Sequence, residues 1–170
     1  MRRLHAAMPF VCAALALPAR AADPPRLDAF AGYSLLKSDE ESRHGWEASA
    51  AYNFGRLGVV ADLAGHYKGG VDDLSYMAGP RYAFHGHTLT PFVQALAGGI
   101  RTRDSISVLG VTISESDTNL AWAVGGGLSF KISERLDMRV QGDYFNIRAG
   151  GKNDSNARLA AGVAYRRGKK

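Results

Sequence analysis

The feature that most constrains the fold of this chain is a repeated alternation of apolar and other residues with a period of two. In the segment 45–54, for example, Trp46, Ala50 and Phe54 share one face. Because successive side chains of a strand point to opposite faces, this pattern is typical of a β-strand with one apolar face. Seven further segments repeat the pattern, so the sequence predicts eight strands of about ten residues each. These segments are 26–36, 57–67, 74–84, 89–100, 120–130, 136–147 and 157–165.

The connections between these segments alternate in length. The polar connections 37–44, 68–73, 101–119 and 148–156 are long, whereas the turns near 55–56, 85–88 and 133–135 are short. A barrel inserted into an outer membrane has short periplasmic turns, longer extracellular loops and an even number of strands. The sequence therefore predicts an all-β, eight-stranded antiparallel up-and-down transmembrane β-barrel. Pro80 lies in the middle of a strand, where it predicts a bulge or a local bend.

The alternation alone is compatible with two kinds of closed barrel. A soluble barrel turns its apolar residues inward, whereas an outer-membrane barrel turns them toward lipid. The interior of an eight-stranded barrel is just wide enough for side chains to fill, and here the bulky aromatic residues lie on the apolar face. Many of them also lie near strand ends, which is typical of interfacial girdles. We therefore expect the lipid-facing aromatic residues to include Trp46, Tyr52, Tyr82, Trp122, Tyr144 and Tyr165.

The first 21 residues predict a cleaved signal peptide. Arg2 and Arg3 precede an apolar run over 6–17, and small residues end the segment. The run is shorter than the roughly 20 residues that a transmembrane helix needs. Cys12, the one cysteine of the chain, lies in this run, so we expect no disulfide or thiolate metal site after cleavage. The predicted organisation is a signal peptide at 1–21, a barrel at 22–165 and a basic C-terminal tail at 166–170.

The charge balance gives no reason to expect a nucleic-acid partner. The chain carries 21 lysines and arginines and 16 acidic residues, a formal net charge of +5. Three of the arginines and none of the acids lie in the predicted signal peptide, so 18 basic and 16 acidic residues remain, a net charge of +2. A nearly balanced charge is not the electrostatic signature of a nucleic-acid-binding protein.

The face opposite the apolar one carries charged and amide side chains, which would lie in the lumen. An unpaired buried charge is costly, whereas the planar guanidinium group of arginine can bind two carboxylates. We therefore expect a salt-bridged lumen network with Arg81 and Arg139 at its centre, in a lumen too narrow for an open channel. This lumen network comprises Glu47, Asp62, Arg81, Gln94, Arg139, Gln141, Asp143 and Arg158, with Asp28 and His66 beside them.

The sequence predicts no catalytic residues, no cofactor and no metal site. Some outer-membrane barrels hydrolyse or transfer acyl chains with a Ser/His/acid set near the outer rim. No His-x-Ser motif occurs in this sequence, and the neighbours of His44 are ordinary polar loop residues. His85 and His87 share one predicted turn, but two ligands are too few for a metal site.

The longest connection, 101–119, contains an alternation of its own that includes Ile106, Val108 and Ile113. It is interpreted either as a solvated loop or as a hairpin that extends the fifth and sixth strands and turns near 109–110. The exposed edge of such a hairpin is a docking surface. The second interpretation therefore predicts a surface partner that binds the segment 101–119.

Short motifs along the chain carry a resemblance to a known family. They are Phe30–Ser34, Gly45–Ser49, Ala51–Phe54, Gly79–Tyr82, Thr90–Phe92 and Ala121–Gly127. In their order and spacing, from about Leu27 to Tyr165, they resemble the small porin-like outer-membrane β-barrel family, which includes OmpA- and OmpX-type barrels. The resemblance implies a monomer in the outer membrane of a Gram-negative-type envelope, in contact with outer-membrane lipid and inserted by the barrel assembly machinery. Members usually end on an aromatic residue, whereas here Tyr165 is followed by the basic tail.

Three functions follow from these expectations. The one we favour is an outer-membrane barrel with a structural or surface-interaction role and a closed lumen. The second is a narrow porin-like pore for ions or small solutes. The third is a soluble periplasmic barrel that binds a ligand.

Overall fold

Eight antiparallel strands follow one another around a closed barrel, each paired with the next and β8 with β1. The computed structural model describes residues 26–38, 42–68, 71–108, 111–149 and 152–168, so the predicted signal peptide lies outside the described residues. Within these ranges no helix is long and apolar enough to cross a bilayer. The predicted fold class is confirmed. The strands are β1 (Leu27–Lys37), β2 (Ser42–Phe54), β3 (Leu57–Lys68), β4 (Val71–Ala83), β5 (Leu89–Val108), β6 (Val111–Lys131), β7 (Leu136–Ala149) and β8 (Lys152–Arg167).

The registers of the strands show how the sheet closes. Leu27 of β1 pairs with Tyr52 of β2, and the registers followed around the barrel from this position lead to Ala157 of β8, which pairs with Lys37. The path thus starts at Leu27 and returns to β1 at Lys37. This stagger of the registers tilts the strands relative to the barrel axis. In the body of the barrel, closure pairs both sides of each strand apart from one short break between β4 and β5, so nearly all backbone groups there are satisfied internally, as hydrocarbon requires.

Pro80 does not produce the bulge that its position suggests. On the β5 side of β4, pairing stops after Ala78, which pairs with Ala97, and resumes at Arg81, which pairs with Gln94. The register is the same on both sides of this interruption, so no extra residue is inserted. The missing donor of proline is thus accommodated by a local break in the ladder, while pairing with β3 continues.

At one end of the barrel, here called the hairpin end, the strands run further than the sequence analysis expects. Strands β5 and β6 pair with each other as far as Val108 and Val111, so the described part of 101–119 is a hairpin and not a solvated loop. The predicted turn at 109–110 lies outside the described residues. In the described structure, β7 pairs with β6 only from Leu120 onward, so the hairpin projects beyond its neighbour.

The opposite end, here called the short-turn end, contains the connections 55–56, 84–88 and 132–135 and the first and last described residues. Strand β8 continues through Arg166 and Arg167, which pair with β1, although the sequence analysis assigns both residues to a tail. One further hydrogen bond extends the β1–β8 pairing beyond these residues, from the backbone N–H of Arg26 to the carbonyl oxygen of Gly168 at 3.0 Å.

The two faces of the strands differ in the way the alternation predicts for an outer-membrane barrel. Side chains that point inward are buried and include nine aspartate, glutamate and arginine residues, whereas the outer face of the strands is apolar and exposed. Exposed aromatic residues form two belts on the outer face. The hairpin-end belt comprises Tyr33, Trp46, Tyr67, Tyr76, Trp122 and Tyr144. The short-turn belt comprises Tyr52, Phe54, Tyr82, Phe130 and Tyr165.

Two rings of the hairpin-end belt lie over a glycine of the neighbouring strand. Trp46 pairs with Gly65, and a Cβ atom added to Gly65 would lie 2.7 Å from the indole Nε1. That Nε1 donates a hydrogen bond to the Tyr67 hydroxyl at 3.1 Å. Tyr76 lies over Gly99 in the same way. The two glycines therefore provide the space in which these rings pack against the backbone.

Candidate functional site: the lumen network

Arg158 of β8 lies at the centre of the polar interior and contacts three carboxylates. Its Nη1 lies 2.8 Å from Oδ1 of Asp62, and its Nη2 lies 2.8 Å from Oδ2 of Asp143. Its Nε lies 3.1 Å from Oε2 of Glu47. The ring of Phe145 covers the guanidinium group at 4.6 Å. Since the acids belong to β3, β7 and β2, one buried side chain links four strands across the lumen.

A second cluster lies closer to the short-turn end. Nη2 of Arg139 donates to Oδ2 of Asp28 at 2.6 Å, and its Nε donates to the Ser129 hydroxyl at 2.8 Å. Nη1 of Arg81 lies 3.6 Å from Oδ1 of the same aspartate. The ring of Phe92 is 4.5 Å from the Arg81 guanidinium group and 5.1 Å from that of Arg139. Because an aromatic face attracts cations, this ring stabilises two arginines that share one carboxylate.

Gln94 of β5 joins the two clusters. Its Oε1 accepts hydrogen bonds from Nε and Nη2 of Arg81 at 3.0 Å and 2.7 Å, and its Nε2 donates to Oδ1 of Asp143 at 2.8 Å. Gln141 extends the network by donating from Nε2 to Glu47. Each of the eight strands supplies at least one member. In strand order these are Asp28, Glu47, Asp62, Arg81, Gln94, Ser129, then Arg139, Gln141 and Asp143 of β7, and Arg158.

The structure places the residues singled out by the sequence as follows. All members of the expected lumen network are buried inside the barrel, together with Asp28 and His66. The centre differs from the expectation, because Arg158 holds three carboxylates whereas Arg81 and Arg139 share Asp28. The outer face exposes Trp46, Tyr52, Tyr82, Trp122, Tyr144 and Tyr165.

A third polar cluster lies toward the hairpin end, and of its members only His66 is predicted from the sequence. Asp73 forms an ion pair with Arg43 and accepts a hydrogen bond from Thr102 at 2.7 Å. Ser34 Oγ lies 3.0 Å from Nε2 of His66. A hydroxyl beside an imidazole resembles a nucleophile–base pair, but Ser34 has no exposed surface that a substrate could reach. The signal that could have identified Ser34 is its inward position in the alternation. Asp73 lies in the predicted connection 68–73, and the structure extends β4 over this residue.

A small cavity lies between the second cluster and the short-turn end. Its volume is about 20 Å³, and its lining includes Asp28, Arg81, Arg139, Asp137 and Arg166. Nη2 of Arg166 lies 2.6 Å from Oδ1 of Asp137 at this end of the lumen. One water molecule needs roughly 10–15 Å³. The cavity therefore has room for about one water molecule and not for a hydrated ion.

His85 also lines this cavity and lies in the connection 84–88, outside the strands. Burial lowers the pKa of its imidazole, and the Arg166 guanidinium group acts in the same direction. His87, two residues further on, is exposed. Among the residues that the structure describes, no group of three or more His, Cys, Asp or Glu side chains is arranged to hold a metal ion.

An edge-free barrel with an apolar outer face, two aromatic belts and a charged interior belongs to the class of small transmembrane β-barrels. The chain is a member of the family described as outer membrane protein beta-barrel domain, whose profile matches residues 6–166. The protein therefore lies in the outer membrane of a Gram-negative cell envelope, as the sequence analysis predicts. This location rules out the soluble periplasmic barrel.

Solved outer-membrane proteins share the fold at low sequence identity. Neisserial surface protein A is 23% identical over 82% of this chain and 95% of that chain, with a TM-score of 0.62. Ail, the attachment invasion locus protein of Yersinia pestis, is 19% identical over 82% of this chain and 96% of that chain, with a TM-score of 0.55. The outer membrane enzyme PagL is 17% identical over 81% of this chain and 98% of that chain, with a TM-score of 0.52. No curated protein sequence matches the chain.

Proposed function

We propose that the protein is an outer-membrane barrel with a structural or surface-interaction role and a closed lumen. The observation that carries the proposal is the contact of Arg158 with Glu47, Asp62 and Asp143 in the middle of the barrel. The interior of an eight-stranded barrel is no wider than its side chains need, so an ion could pass only by displacing these pairs. The lumen network would act as the plug, and the outer aromatic residues would face lipid.

Recording of ion currents through planar bilayers distinguishes this function from a narrow porin-like pore. The refolded wild-type barrel, whose folded state is checked by heat-modifiable gel migration, should give no steady current. The Arg158→Ala variant should give frequent openings, because it removes the cation at the centre of the plug. Arg167→Ala is the matched control, since Arg167 is exposed on the same strand. A steady ohmic current through the wild type would support the pore and contradict a closed lumen.

The projecting hairpin is the surface that we propose for a partner. Residues 111–119 of β6 pair with β5 on one side, whereas pairing with β7 starts at Leu120. The other side of this segment offers backbone N–H and C=O groups to an extended strand of a partner protein. The segment 101–119 contains two arginines and three acidic residues. This charge does not favour a polyanion such as the heparin analogue sucrose octasulfate, which is found in complex with Ail.

Replacement of Ile106–Ile113 by a short Gly/Ser turn tests the hairpin as a binding surface. The replacement removes the outer part of the projecting hairpin, including residues 111–113 of the free edge, and leaves the β5–β6 pairs from Ser105 and Ser114 toward the barrel intact. Cells that display the shortened protein should lose adhesion to a protein-coated surface, whereas cells that display the full barrel keep it. Equal adhesion by both, with equal amounts of folded barrel, would reject the proposal.

We also propose that the barrel has no enzymatic activity and no cofactor, although PagL is an enzyme. The Ser34–His66 pair is the arrangement in the described structure that comes nearest to a catalytic one, and it is buried. A fluorophosphonate probe, which labels activated serines, should not modify the folded wild-type barrel. Labelling that is lost in Ser34→Ala would show an accessible nucleophile and contradict the proposal.

A monomer inserted by the barrel assembly machinery completes the proposal. Apart from the short break at Pro80, the closed sheet formed by the described strands leaves no unpaired edge in the body of the barrel that would favour association. Tyr165 is exposed near the end of β8, where an aromatic assembly signal would lie, although two more strand residues follow it. Tyr165→Ala should therefore lower the amount of folded barrel in the outer membrane, and an unchanged amount would contradict this role.

A further inference from the structure

The short-turn end carries a concentration of exposed positive charge. The exposed basic residues are Arg26, Arg56, Lys131, Arg135 and Arg167, here called the basic rim. Among the described residues of this end, Glu134 is the exposed acidic residue. Asp28 and Asp137 are buried and bind arginines of the interior, so their charges are already compensated. The rim is therefore strongly positive.

The basic rim lies directly beside the short-turn belt. Lys131 follows Phe130 in the chain, Arg56 lies two positions beyond Phe54, and Arg167 lies two positions beyond Tyr165. The rings of the belt are exposed on the outer face. Aromatic rings of this kind prefer the headgroup level of a bilayer. The positive groups next to them then lie at the depth of the lipid phosphates.

Edge-to-face ring pairs hold parts of this belt in place. Tyr52 and Phe54 contact each other with their ring centroids 4.9 Å apart, and Tyr82 and Phe84 form a pair with the same separation. Such pairs contribute to stability beyond the area that they bury. The rings nearest to Arg56 are thereby held in fixed positions on the outer face.

We propose that the basic rim binds the headgroups of anionic phospholipids in the leaflet that surrounds the short-turn end. The rim residues lie at the start of β1, in the β2–β3 and β6–β7 connections, and at the ends of β6 and β8, which is an arc over six of the eight strands, from β6 through β8 and β1 to β3. A lipid annulus meets all of these positions at once, whereas a single acidic protein would meet one side. In the proposed orientation this leaflet is the periplasmic one. The inference depends on neither the closed lumen nor the hairpin partner.

Electron spin resonance of spin-labelled lipids tests the inference on the refolded full barrel in bilayers. The motionally restricted lipid shell is compared for labelled phosphatidylglycerol and labelled phosphatidylcholine. The wild type should prefer phosphatidylglycerol severalfold, and salt should weaken the preference because it screens exposed charges. The variant Arg56→Gln/Arg135→Gln should lose much of the preference, toward the value of the neutral lipid.

The matched control is Lys37→Gln/Arg101→Gln, which removes the same charge from exposed residues at the hairpin end. This control should retain the larger part of the preference, and both variants should keep the heat-modifiable migration of a folded barrel. Equal association of the two lipids with the wild type would overturn the proposal and would instead favour an acidic soluble protein as the partner of the basic rim. An equal loss in both variants would also overturn it, because the preference would then not arise at the basic rim.

Discussion

The side-chain amide of Gln94 donates a hydrogen bond from Nε2 to Oδ1 of Asp143 at 2.8 Å. The other end of the amide accepts two hydrogen bonds from Arg81. Gln94 therefore connects the cluster around Arg158 to the cluster around Asp28, and the charges of both belong to one network. Because an unpaired polar group is costly in a low-dielectric interior, the members of such a network depend on one another.

Replacement of Gln94 by methionine should destabilise the barrel while nearly keeping the shape of the side chain. The change leaves Arg81 and Asp143 without this partner, at a cost of about 1–3 kcal/mol for an unsatisfied buried group. Urea unfolding of the refolded barrel in lipid vesicles measures the effect. Leu96→Met is the control, since Leu96 is also buried on β5. A Gln94→Met variant as stable as this control would argue against the connecting role.

Arg158→Met should lower the free energy of unfolding more than Gln94→Met does. It leaves three buried carboxylates without their common cation, and loss of one partner from a buried ion pair costs about 3–5 kcal/mol. Arg167→Met, an exposed change on the same strand, should stay within about 0.5 kcal/mol of the wild type. The free energy of unfolding of both variants is measured under the same conditions. Similar values for the two would contradict the central position of Arg158.

The packing of Trp46 over Gly65 makes a prediction for the outer face. Gly65→Ala should displace the indole ring, since its Cβ atom would lie 2.7 Å from Nε1, and overpacking of this kind costs about 1–3 kcal/mol. Gly142→Ala is the control, because its Cβ atom would meet only the flexible end of Leu159 at 3.2 Å and the more distant Arg158 carbonyl. Near-ultraviolet circular dichroism and urea unfolding should change in the first variant and not in the second.

The position of His85 predicts how stability depends on pH. Its pKa is lowered in the folded state, so the unfolded chain binds the proton more readily and stability falls as the pH drops below about 6.5. His85→Gln should remove this component and flatten the pH dependence of the unfolding free energy in that range. His87→Gln, which changes an exposed histidine of the same connection, is the matched control. Equal slopes for the wild type and both variants would contradict the argument.

The strands and the direction of their side chains are predictable because both are local properties. The alternation around Trp122 and around Arg158 requires no knowledge of other strands, and it identifies which side chain points inward. The partners of Arg158, in contrast, are not local and cannot be predicted in this way. Asp62 and Glu47 lie far away in the sequence, and their height in the lumen depends on the registers of all eight strands. These registers cannot be derived from the alternation of a single sequence, and the predicted centre at Arg81 and Arg139 therefore differs from the observed one.

The segment 101–119 shows a second limit. Its polar composition favours a solvated loop, while the spacing of Ile106 and Ile113 favours strands. In the structure these two residues are paired positions of one hairpin, and the pairing satisfies the backbone groups of both strands. Local composition could not decide between the two interpretations, because the stabilising contact is made with the other strand of the hairpin.

Fluorescence quenching of the two tryptophans tests most directly which face of the strands touches lipid. Trp46 and Trp122 are the tryptophans of the chain, and 41% and 47% of their surfaces are exposed on the outer face. We expect strong quenching by lipids brominated on the acyl chains and little quenching by acrylamide in the aqueous phase, for the wild type and for each single Trp→Phe variant. Strong acrylamide quenching without quenching by brominated lipids would mean that this face does not meet the membrane, and would contradict the account.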